Sequence, residues 1–302
     1  MRIARSIEGY DASADLLLSI GVFDGVHIGH RSVLSRLQAL RTPQALVGAL
    51  TFEHHPQAFL QPHDAPKALT TLDEKINLLA GVGLDVLFLL PFDERIQSVS
   101  AESFLTDILL KRLRTRALIV GEQWRFGRGR AGDVVLARSV LSQGGCSFEA
   151  APLLERDGER VSSTRIRELI GLKRFAQADA LLGSPYTLRG LVVTGDGRGH
   201  ELGYPTANLT VAAEKLVPPA GVYATTAMHA GRLLPSVTSI GDKPTFGGGA
   251  FAIETYLPDF TDSIYGDQLA LSHWRFLRDQ QRFSGREALI EQIRADVKQA
   301  LS

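Results

Sequence analysis

The sequence predicts an α/β first half with a parallel sheet and a second half made mainly of β-strands. In the first half, short apolar strands alternate with helical patterns, which is typical of a sheet covered by helices on both faces. After Tyr186 the pattern changes to short strands, glycine turns and one late amphipathic helix. We therefore expect two domains, the second a β-barrel or sandwich with a terminal helix.

The elements of the first half follow from apolar runs and helical periodicity. Strands are predicted over Leu16–Val22, Ala45–Phe52, Val86–Pro91 and Ala117–Val120. Helices are predicted over His30–Leu40, Leu72–Ala80, Ala101–Arg112, Asp133–Gln143, Ser163–Leu169 and Phe175–Leu182. Gly183-Ser-Pro185 ends the last of these helices, so we expect domains over residues 1–183 and 184–302.

The second half is read in the same way. Strands are predicted over Thr187–Thr194, Gly221–His229, Leu233–Ile240, Phe251–Leu257 and Gln268–Phe276. Ala230-Gly231 separates two of these strands and predicts a hairpin turn. A helix is predicted over Arg286–Leu301, with Leu289, Ile290, Ile293 and Val297 on its apolar face.

Composition limits the classes of function. The chain has 302 residues, of which 44% are hydrophobic, and its 33 basic and 33 acidic residues give a formal net charge of +0. This balance offers no bulk attraction to nucleic acid or to a membrane surface, so we expect neither as a partner. The single cysteine, Cys146, cannot form an internal disulfide, and no secretory leader or membrane span is evident, so we expect a cytoplasmic protein. Its oligomeric state is not predicted.

The most informative segment is Gly21-Val-Phe-Asp-Gly-Val-His-Ile-Gly-His30, which lies between a predicted strand and a predicted helix. His27 and His30 are three residues apart at the helix start, so they share a face. Unpaired N–H groups and the helix dipole favour anions there, and glycines let the backbone approach a phosphate closely. The segment predicts a site for a nucleoside triphosphate without a Walker loop.

A second segment, Val161-Ser-Ser-Thr-Arg-Ile-Arg167, combines hydroxyl groups with an arginine at a helix start. By itself it is equally well explained as an N-cap followed by a solvated arginine. Arginine does, however, suit phosphate, because its planar fork makes paired hydrogen bonds to phosphate oxygens.

A third segment, Gly121-Glu-Gln-Trp-Arg-Phe-Gly-Arg-Gly-Arg-Ala-Gly-Asp133, interleaves aromatic residues, arginines and glycines. It could be a basic surface loop or, because such mixtures stack bases, a nucleic-acid contact. The neutral charge of the chain and the lack of a wider basic patch argue against nucleic acid.

A fourth segment, Gly195-Asp-Gly-Arg-Gly-His-Glu-Leu-Gly-Tyr-Pro-Thr-Ala-Asn208, follows a predicted strand and does not fit the P-loop pattern. A flexible connection between strands is one reading of it. Thr206 and Asn208 would face the same side of an extended segment, and both offer oxygen atoms suited to Mg²⁺.

These segments carry a family resemblance. The histidine and Ser162–Arg165 elements resemble the two phosphate-binding signatures of the nucleotidyltransferase superfamily. These elements and four further segments occur in the order seen in bacterial bifunctional riboflavin kinase/FAD synthetases. The four segments are Thr51-Phe-Glu-His-His-Pro56, Leu69-Thr-Thr-Leu-Asp-Glu-Lys75, the Gly121 loop and the segment ending in Pro-Thr-Ala-Asn208. The resemblance runs over nearly the whole chain. It implies a Rossmann-like nucleotidyltransferase domain followed by a small β-barrel kinase domain.

The resemblance also implies residue roles. Glu254 would be the general base of the kinase, and His27 and His30 the catalytic residues of adenylyl transfer. ATP and phosphate contacts would come from Gly21, Phe23, Asp24, Gly25, Gly29, Ser162, Ser163, Thr164, Arg165, Gly195, Arg198, Gly203 and Pro205. Flavin contacts would come from Gln123, Trp124, Phe126 and Arg278, and metal contacts from Thr206 and Asn208.

The chain departs from the family pattern at five positions. Gln123-Trp124 stands where the family has aspartate or asparagine followed by phenylalanine, and Trp124 could still stack on a flavin ring. His54 stands where the family has proline, Tyr256 where it often has histidine, and Lys243 where arginine or a small polar residue is usual.

The expected function is therefore flavin cofactor synthesis: ATP-dependent phosphorylation of riboflavin to FMN, then adenylylation of FMN to FAD. The expected partners are riboflavin, FMN and ATP, with Mg²⁺ accompanying ATP and no tightly bound prosthetic group. Two alternatives stay open at this point. The change at Gln123-Trp124 could leave only the kinase active or redirect the first domain to another acceptor, or the chain could be a flavin-binding regulator without turnover.

Overall fold

A computed structural model describes residues 1–10, 13–195, 199, 202–241 and 251–302 of the protein. The chain divides into two compact units, Met1–Ser163 and Thr164–Ser302. None of the helices within the described ranges is both long and apolar enough to cross a membrane.

The first unit contains a six-stranded sheet in which every pairing is parallel. Its strands are β1 (Arg2–Ala4), β2 (Asp15–Ile20), β3 (Ala45–Phe52), β4 (Val86–Leu90), β5 (Thr115–Gly121) and β6 (Ser147–Ala151). The four predicted strands are confirmed as β2 to β5, whereas β1 and β6 were missed. A short antiparallel pair, β7 (Glu155–Arg156) and β8 (Glu159–Arg160), follows the sheet.

Helices cover both faces of this sheet. They are α1 (Ile28–Ala39), α2 (Pro56–Leu60), α3 (Leu72–Ala80), α4 (Glu94–Ser98), α5 (Ala101–Ser103) and α6 (Val134–Gln143). A π-helix, Phe104–Arg112, continues α5, so the predicted helix over residues 101–112 is present but its second part has wider turns. One apolar cluster joins Leu16, Leu18 and Ile20 to Leu105 and Leu141, and a second joins Leu17 to Leu34 and Leu79. Alternate residues of β2 thus feed opposite faces, as a doubly covered sheet requires.

The strand order β1-β4-β3-β2-β5-β6 positions the first candidate site. From β2 the chain adds β3 and β4 on one side, and then adds β5 and β6 on the other. In such sheets ligands bind at the carboxyl ends of the strands where this order reverses. Here these are the ends of β2 and β5, which lead into residues 21–30 and 122–133.

The second unit is built around a closed antiparallel barrel with strand order β10-β13-β12-β11-β14-β9. Its strands are β9 (Leu188–Val193), β10 (Thr206–Thr210), β11 (Gly221–His229), β12 (Arg232–Gly241), β13 (Ala252–Tyr256) and β14 (Gln268–Arg278), and its helices are α7 (Ser163–Gly171), α8 (Phe175–Leu182) and α9 (Arg286–Leu301). The expectation of a barrel with a terminal helix is confirmed. Strand β10 was missed because it is short and its first three residues are only half-buried.

Particular residues explain the turn between β11 and β12 and the packing of α8 on the barrel. Ala230 and Gly231 have φ of 47° and 81°, which are the paired positive values of a tight hairpin turn between β11 and β12. Helix α8 packs its Phe175 ring on the buried Tyr223 and Trp274 rings at 5.7 and 5.8 Å.

The domain limits expected from sequence, 1–183 and 184–302, stay a prediction, since the compact units divide earlier, after Ser163.

Candidate active sites

The turn after β2 has an unusual backbone. Phe23, Gly25 and Val26 have positive φ values of 52°, 79° and 39°. This region is unfavourable for residues with a Cβ, so surrounding contacts must hold Phe23 and Val26 in it. The buried Phe23 ring packs on Gly21, where an added Cβ would lie 3.3 Å from Phe23 Cζ. The glycine at this position is therefore explained by close packing.

Asp24 is fixed within this turn by a neighbouring segment. Its carboxylate accepts hydrogen bonds from the backbone N–H groups of Leu69, at 2.9 Å, and Thr70, at 3.1 Å. Its backbone carbonyl accepts a hydrogen bond from Ser163 Oγ at 2.9 Å. The carboxylate is buried and bonded to protein donors, so the predicted ATP contact of Asp24 stays a prediction.

His27 and His30 meet at the start of α1, as their spacing predicts. His27 is the N-cap of α1, and its Nδ1 accepts a hydrogen bond from the His30 backbone N–H at 3.3 Å. A neutral His27 therefore carries its proton on Nε2, which leaves that atom as a donor. The two rings stack with centroids 3.6 Å apart, and an added Cβ on Gly29 would lie 3.1 Å from His27 Nδ1. Both imidazoles lie at the positive end of a helix, where anions bind.

The charge state of His30 is set by its surroundings. Burial, together with the charges of His27 and Lys75, places the pKa of His30 well below its usual value of 6.5. Its Nδ1 is shielded from solvent and has no hydrogen-bond partner among the described residues. At neutral pH the site therefore presents an uncharged imidazole with an unused nitrogen.

Lys75 is a charged residue to which the sequence assigned no role. It lies in α3 with its side chain buried, and its Nζ donates to the Phe52 carbonyl at 2.6 Å. Burial lowers the pKa of Lys75 to about 8, although the charge of Asp24 acts in the opposite direction. The effect of Lys75 on His30 could not be predicted from the sequence, because only the fold brings α3 close to the histidine turn.

The hydroxyl segment contributes to the turn in part. Ser163 reaches the Asp24 carbonyl, as described above, which links the predicted second phosphate element to the first. Thr164 and Arg165 follow in α7, and Arg165 Nη1 lies 3.1 Å from Glu168 Oε2. The predicted phosphate contacts of Ser162, Thr164 and Arg165 stay predictions.

The loop after β5 forms an aromatic group. The rings of Trp124 and Phe126 stack at 4.1 Å, and Phe104 lies 5.8 Å from Phe126. Phe126 and Gly132 exchange backbone hydrogen bonds that close the loop on itself. Trp124 is half-buried, and one of its faces is covered by Phe126. Gln123 is exposed, and its Oε1 accepts a hydrogen bond from Arg160 Nη2 at 2.5 Å. The flavin contacts predicted for this loop stay predictions.

In the barrel, strand register brings together residues that are far apart in sequence. β10 pairs with β13 so that Asn208 lies opposite Glu254 and Thr206 opposite Tyr256. Residues directly opposite each other share one face of a sheet, with Cβ atoms about 5 Å apart. Thr255, between these positions, is fully buried on the other face. Thr206, Asn208 and Glu254 therefore form one half-buried group on the outer face of the barrel.

Glycines of the preceding segment pack on this group. An added Cβ on Gly195 would lie 2.1 Å from Asn208 Nδ2, and one on Gly199 would lie 3.1 Å from Thr206 Oγ1. Gly203 has φ of 81°, which favours glycine. The backbone thus lies directly against the predicted metal ligands, as expected of a phosphate-cradling loop. Arg198 lies outside the described residues, and Pro205 directly precedes β10.

Arg278 is engaged within the protein. Its Nε donates to Asp296 Oδ1 at 2.9 Å and its Nη2 to Asp296 Oδ2 at 2.7 Å, which joins β14 to α9. Gln292 also donates to Asp296, at 2.9 Å. The predicted flavin contact of Arg278 stays a prediction, and the residue also anchors the terminal helix.

The donor chemistry favours a metal that arrives with nucleotide. No group of three or more His, Cys, Asp or Glu side chains in the described part of the chain could hold a metal ion. Thr206 and Asn208 instead offer a hydroxyl and an amide oxygen beside a glycine-rich backbone. Hard oxygen donors of this kind, few in number, fit a divalent cation that is held largely by phosphates.

Together, the fold and these two groups define a class. One unit is an α/β domain with a histidine-capped helix at its switch point, and the other is a barrel with a glycine-rich segment over polar strand residues. This combination is typical of an enzyme that carries out nucleotidyl and phosphoryl transfer.

Comparison with known proteins gives the family. The FAD synthetase family model matches residues 11–165, and the riboflavin kinase model matches residues 182–302. The bifunctional riboflavin kinase/FMN adenylyltransferase of Escherichia coli K12 is 35% identical over 300 residues, covering 98% of this chain and 96% of that protein. The proteins of the same name from Pseudomonas fluorescens and Bacillus subtilis are 37% and 32% identical, covering 93% and 96% of this chain and 91% and 93% of those proteins. The chain belongs to the bifunctional riboflavin kinase/FMN adenylyltransferase family.

A solved structure has the same fold over the full length. It is that of a macrolide-efflux protein from Streptococcus pneumoniae, with a TM-score of 0.89 and 27% identity over 99% of this chain and 98% of that one. The efflux activity in that name belongs to that protein, and the family models matched by this chain describe enzymes.

Proposed function

We propose that the protein makes FAD in two ATP-dependent steps, first as a riboflavin kinase and then as an FMN adenylyltransferase. The observation that carries the proposal is that two separate groups of residues, one in each unit, have the chemistry expected of a phosphate site. The histidine turn lies at the switch point of the parallel sheet, and the Asn208–Glu254 pair lies under glycines on the barrel.

In the kinase step, Glu254 accepts the proton of the ribityl 5′-hydroxyl as that oxygen attacks the γ-phosphorus of ATP. The bond between the γ-phosphorus and the bridging oxygen breaks, and ADP leaves. Glu254 is suited to this role because it is half-buried beside Asn208, next to the position where phosphates would lie against Gly195. Thr206 and Asn208 would hold Mg²⁺, which offsets phosphate charge when it is bound with ATP.

In the adenylyl step, a phosphate oxygen of FMN attacks the α-phosphorus of ATP, and pyrophosphate leaves as the α–β bridge breaks. The work is positioning and charge stabilisation, with no covalent enzyme intermediate. His27 and His30 at the start of α1 would offer imidazole nitrogens to the phosphates. Trp124 would contact the isoalloxazine ring with the part that Phe126 leaves open.

The proposal also covers the substrates, the metal and the cellular location. The substrates are riboflavin, FMN and ATP, and the metal is Mg²⁺. The protein works in the cytoplasm, where ATP and Mg²⁺ are available and where Cys146 stays a buried thiol.

The division of labour is tested by two variants. We expect His30→Ala to abolish FAD formation while riboflavin is still converted to FMN. We expect Glu254→Gln to block FMN formation while added FMN is still converted to FAD. His63→Ala and Glu287→Gln, at exposed positions, serve as matched controls and should leave both rates unchanged.

The outcomes separate the alternatives. If either variant, while folded, lost both activities, the assignment of one reaction to each unit would be wrong. If the wild-type protein converted riboflavin to FMN but made no FAD from added FMN and MgATP, only the kinase would be active. Flavin binding without release of ADP or pyrophosphate would indicate a regulator.

A further inference from the structure

The segment Leu69–Lys75 contains no residue used in either proposed reaction, yet it contacts the histidine turn. We propose that Thr70 is a positioning residue for adenylyl transfer, whose side-chain hydroxyl fixes the turn that carries His27 and His30. This inference rests on the proposed function.

The hydroxyl of Thr70 binds two successive residues of the turn. It accepts a hydrogen bond from the Gly25 backbone N–H at 3.1 Å and donates to Asp24 Oδ1 at 3.3 Å. The Thr70 backbone N–H reaches the same Asp24 oxygen at 3.1 Å, and Leu69 N–H reaches it at 2.9 Å. One side-chain oxygen therefore links the backbone of Gly25 to the carboxylate of Asp24.

The segment that supplies Thr70 is itself anchored. Thr71 caps α3 in a reciprocal capping box with Glu74, which fixes the chain direction just after Thr70. One turn further along, Lys75 Nζ donates to the Phe52 carbonyl at the end of β3. Thr70 thus projects from a rigid connection between α3 and the sheet.

The geometry of the turn needs such a connection. Gly25 and Val26 have positive φ, and Val26 directly precedes His27, whose ring caps α1. Arg31 Nε donates to the Val26 carbonyl at 3.0 Å and holds the other side of this turn. Without the Thr70 hydroxyl, the 24–26 backbone can relax toward ordinary φ values, which would move both imidazoles relative to the phosphates.

The test compares two substitutions at this position. Thr70→Val keeps the size of the side chain and removes both hydroxyl hydrogen bonds, whereas Thr70→Ser keeps the hydroxyl. Because ångström-scale misplacement of catalytic groups costs up to about 100-fold in rate, we expect Thr70→Val to lower kcat for FMN adenylylation by about 10- to 100-fold. The KM for ATP should change much less, and Thr70→Ser should restore most of the rate.

Three controls make the test decisive. Riboflavin kinase activity, measured on the same molecules, should not change in either variant. Thr42→Val removes the hydroxyl of an exposed threonine in the same unit and should leave adenylylation unchanged. Asp85→Ala removes a carboxylate that accepts a hydrogen bond from the Val47 N–H at the amino ends of β3 and β4, whereas the histidine turn follows the carboxyl end of β2. This variant reports the effect of lost stability alone.

The proposal is wrong if Thr70→Val adenylylates FMN at the wild-type rate, or if Thr70→Ser loses as much as Thr70→Val. It is also wrong if Asp85→Ala, at an equal loss of thermal stability, lowers kcat to the same extent. If the wild-type protein itself made no FAD from FMN and MgATP, the proposed function would fail, and that result is distinct from a failure at Thr70.

Discussion

His30 shows how the fold sets the chemistry of one side chain. Burial disfavours the imidazolium form, and the electrostatic interactions with His27 and Lys75 act in the same direction. An ordinary histidine is partly charged at physiological pH, whereas the position of His30 keeps its ring neutral. Its stacking on His27 also limits the directions in which its nitrogens can bind phosphate.

This account predicts a measurable change when the charge of Lys75 is removed. In Lys75→Met the pKa of His30 should rise toward 6.5, because one of the charges that lowers it is gone. NMR titration of the His30 ring would measure this shift. Lys298→Met, which removes an exposed lysine in the other unit, should leave the titration unchanged.

The same pKa difference has a consequence for stability. The pKa of His30 is lower in the folded state than in the unfolded state, so its contribution to stability is present above about pH 6.5 and is lost as the pH falls toward the folded-state pKa. The wild-type protein should therefore lose more free energy of unfolding than Lys75→Met between pH 7 and pH 5. An equal loss in both proteins would show that Lys75 does not act on His30.

A third prediction at the residue scale concerns Gly195. A Cβ at this position would lie 2.1 Å from Asn208 Nδ2, so Gly195→Ala must displace either the amide or the loop. We expect kcat of the riboflavin kinase to fall about 100-fold, while FMN adenylylation is unchanged. Gly171→Ala, where an added Cβ meets nothing within 4 Å, is the matched control. Full kinase activity in Gly195→Ala would contradict the placement of the phosphates against this loop.

At the scale of elements, α9 depends on side chains from β14. Arg278 and Asp296 form a nearly buried pair, with exposed side-chain fractions of 16% and 4%, and Arg275 Nη2 donates to the Gln299 carbonyl in the last turn of α9. Removing one partner of a buried ion pair leaves an uncompensated charge. The contact is therefore expected to hold the helix on the barrel.

We expect Asp296→Ala to lower the free energy of unfolding of this unit by roughly 3 kcal/mol. Unfolding can be followed through the fluorescence of the buried Trp274 after Trp124→Phe removes the other tryptophan of the chain. Asp279→Ala breaks a pair with Lys173 in which the carboxylate is exposed, and it should cost less than about 1 kcal/mol. Equal effects of the two substitutions would show that the Arg278 pair does not anchor α9.

The elements also show why some features could be predicted from sequence and others could not. Strand β3 and helices α3 and α8 have the bounds that periodicity predicts, because each carries its own apolar pattern. Strand β10 has a polar start, and its partner is β13, so its pairing depends on contacts distant in sequence. Thr70 and Lys75 were missed as parts of a site for the same reason, since only folding brings α3 to the histidine turn.

At the scale of the whole molecule, we propose two different ways of binding nucleotide phosphates, one for each reaction. The parallel sheet would bind them at a helix start beside its topological switch point, and the barrel would bind them at glycines packed on polar strand residues. The product of the proposed kinase is the substrate of the proposed adenylyltransferase. Because both units lie on one chain, the cell makes them in a one-to-one ratio.

The most direct test of this account is a time course of the products formed from riboflavin and MgATP by the wild-type protein. We expect FMN to appear first with ADP, and FAD to follow with pyrophosphate as FMN accumulates. Chromatography of quenched samples would measure all four products. A reaction that forms FMN but never FAD, or one that forms neither, would contradict the assignment of one phosphate-transfer reaction to each unit.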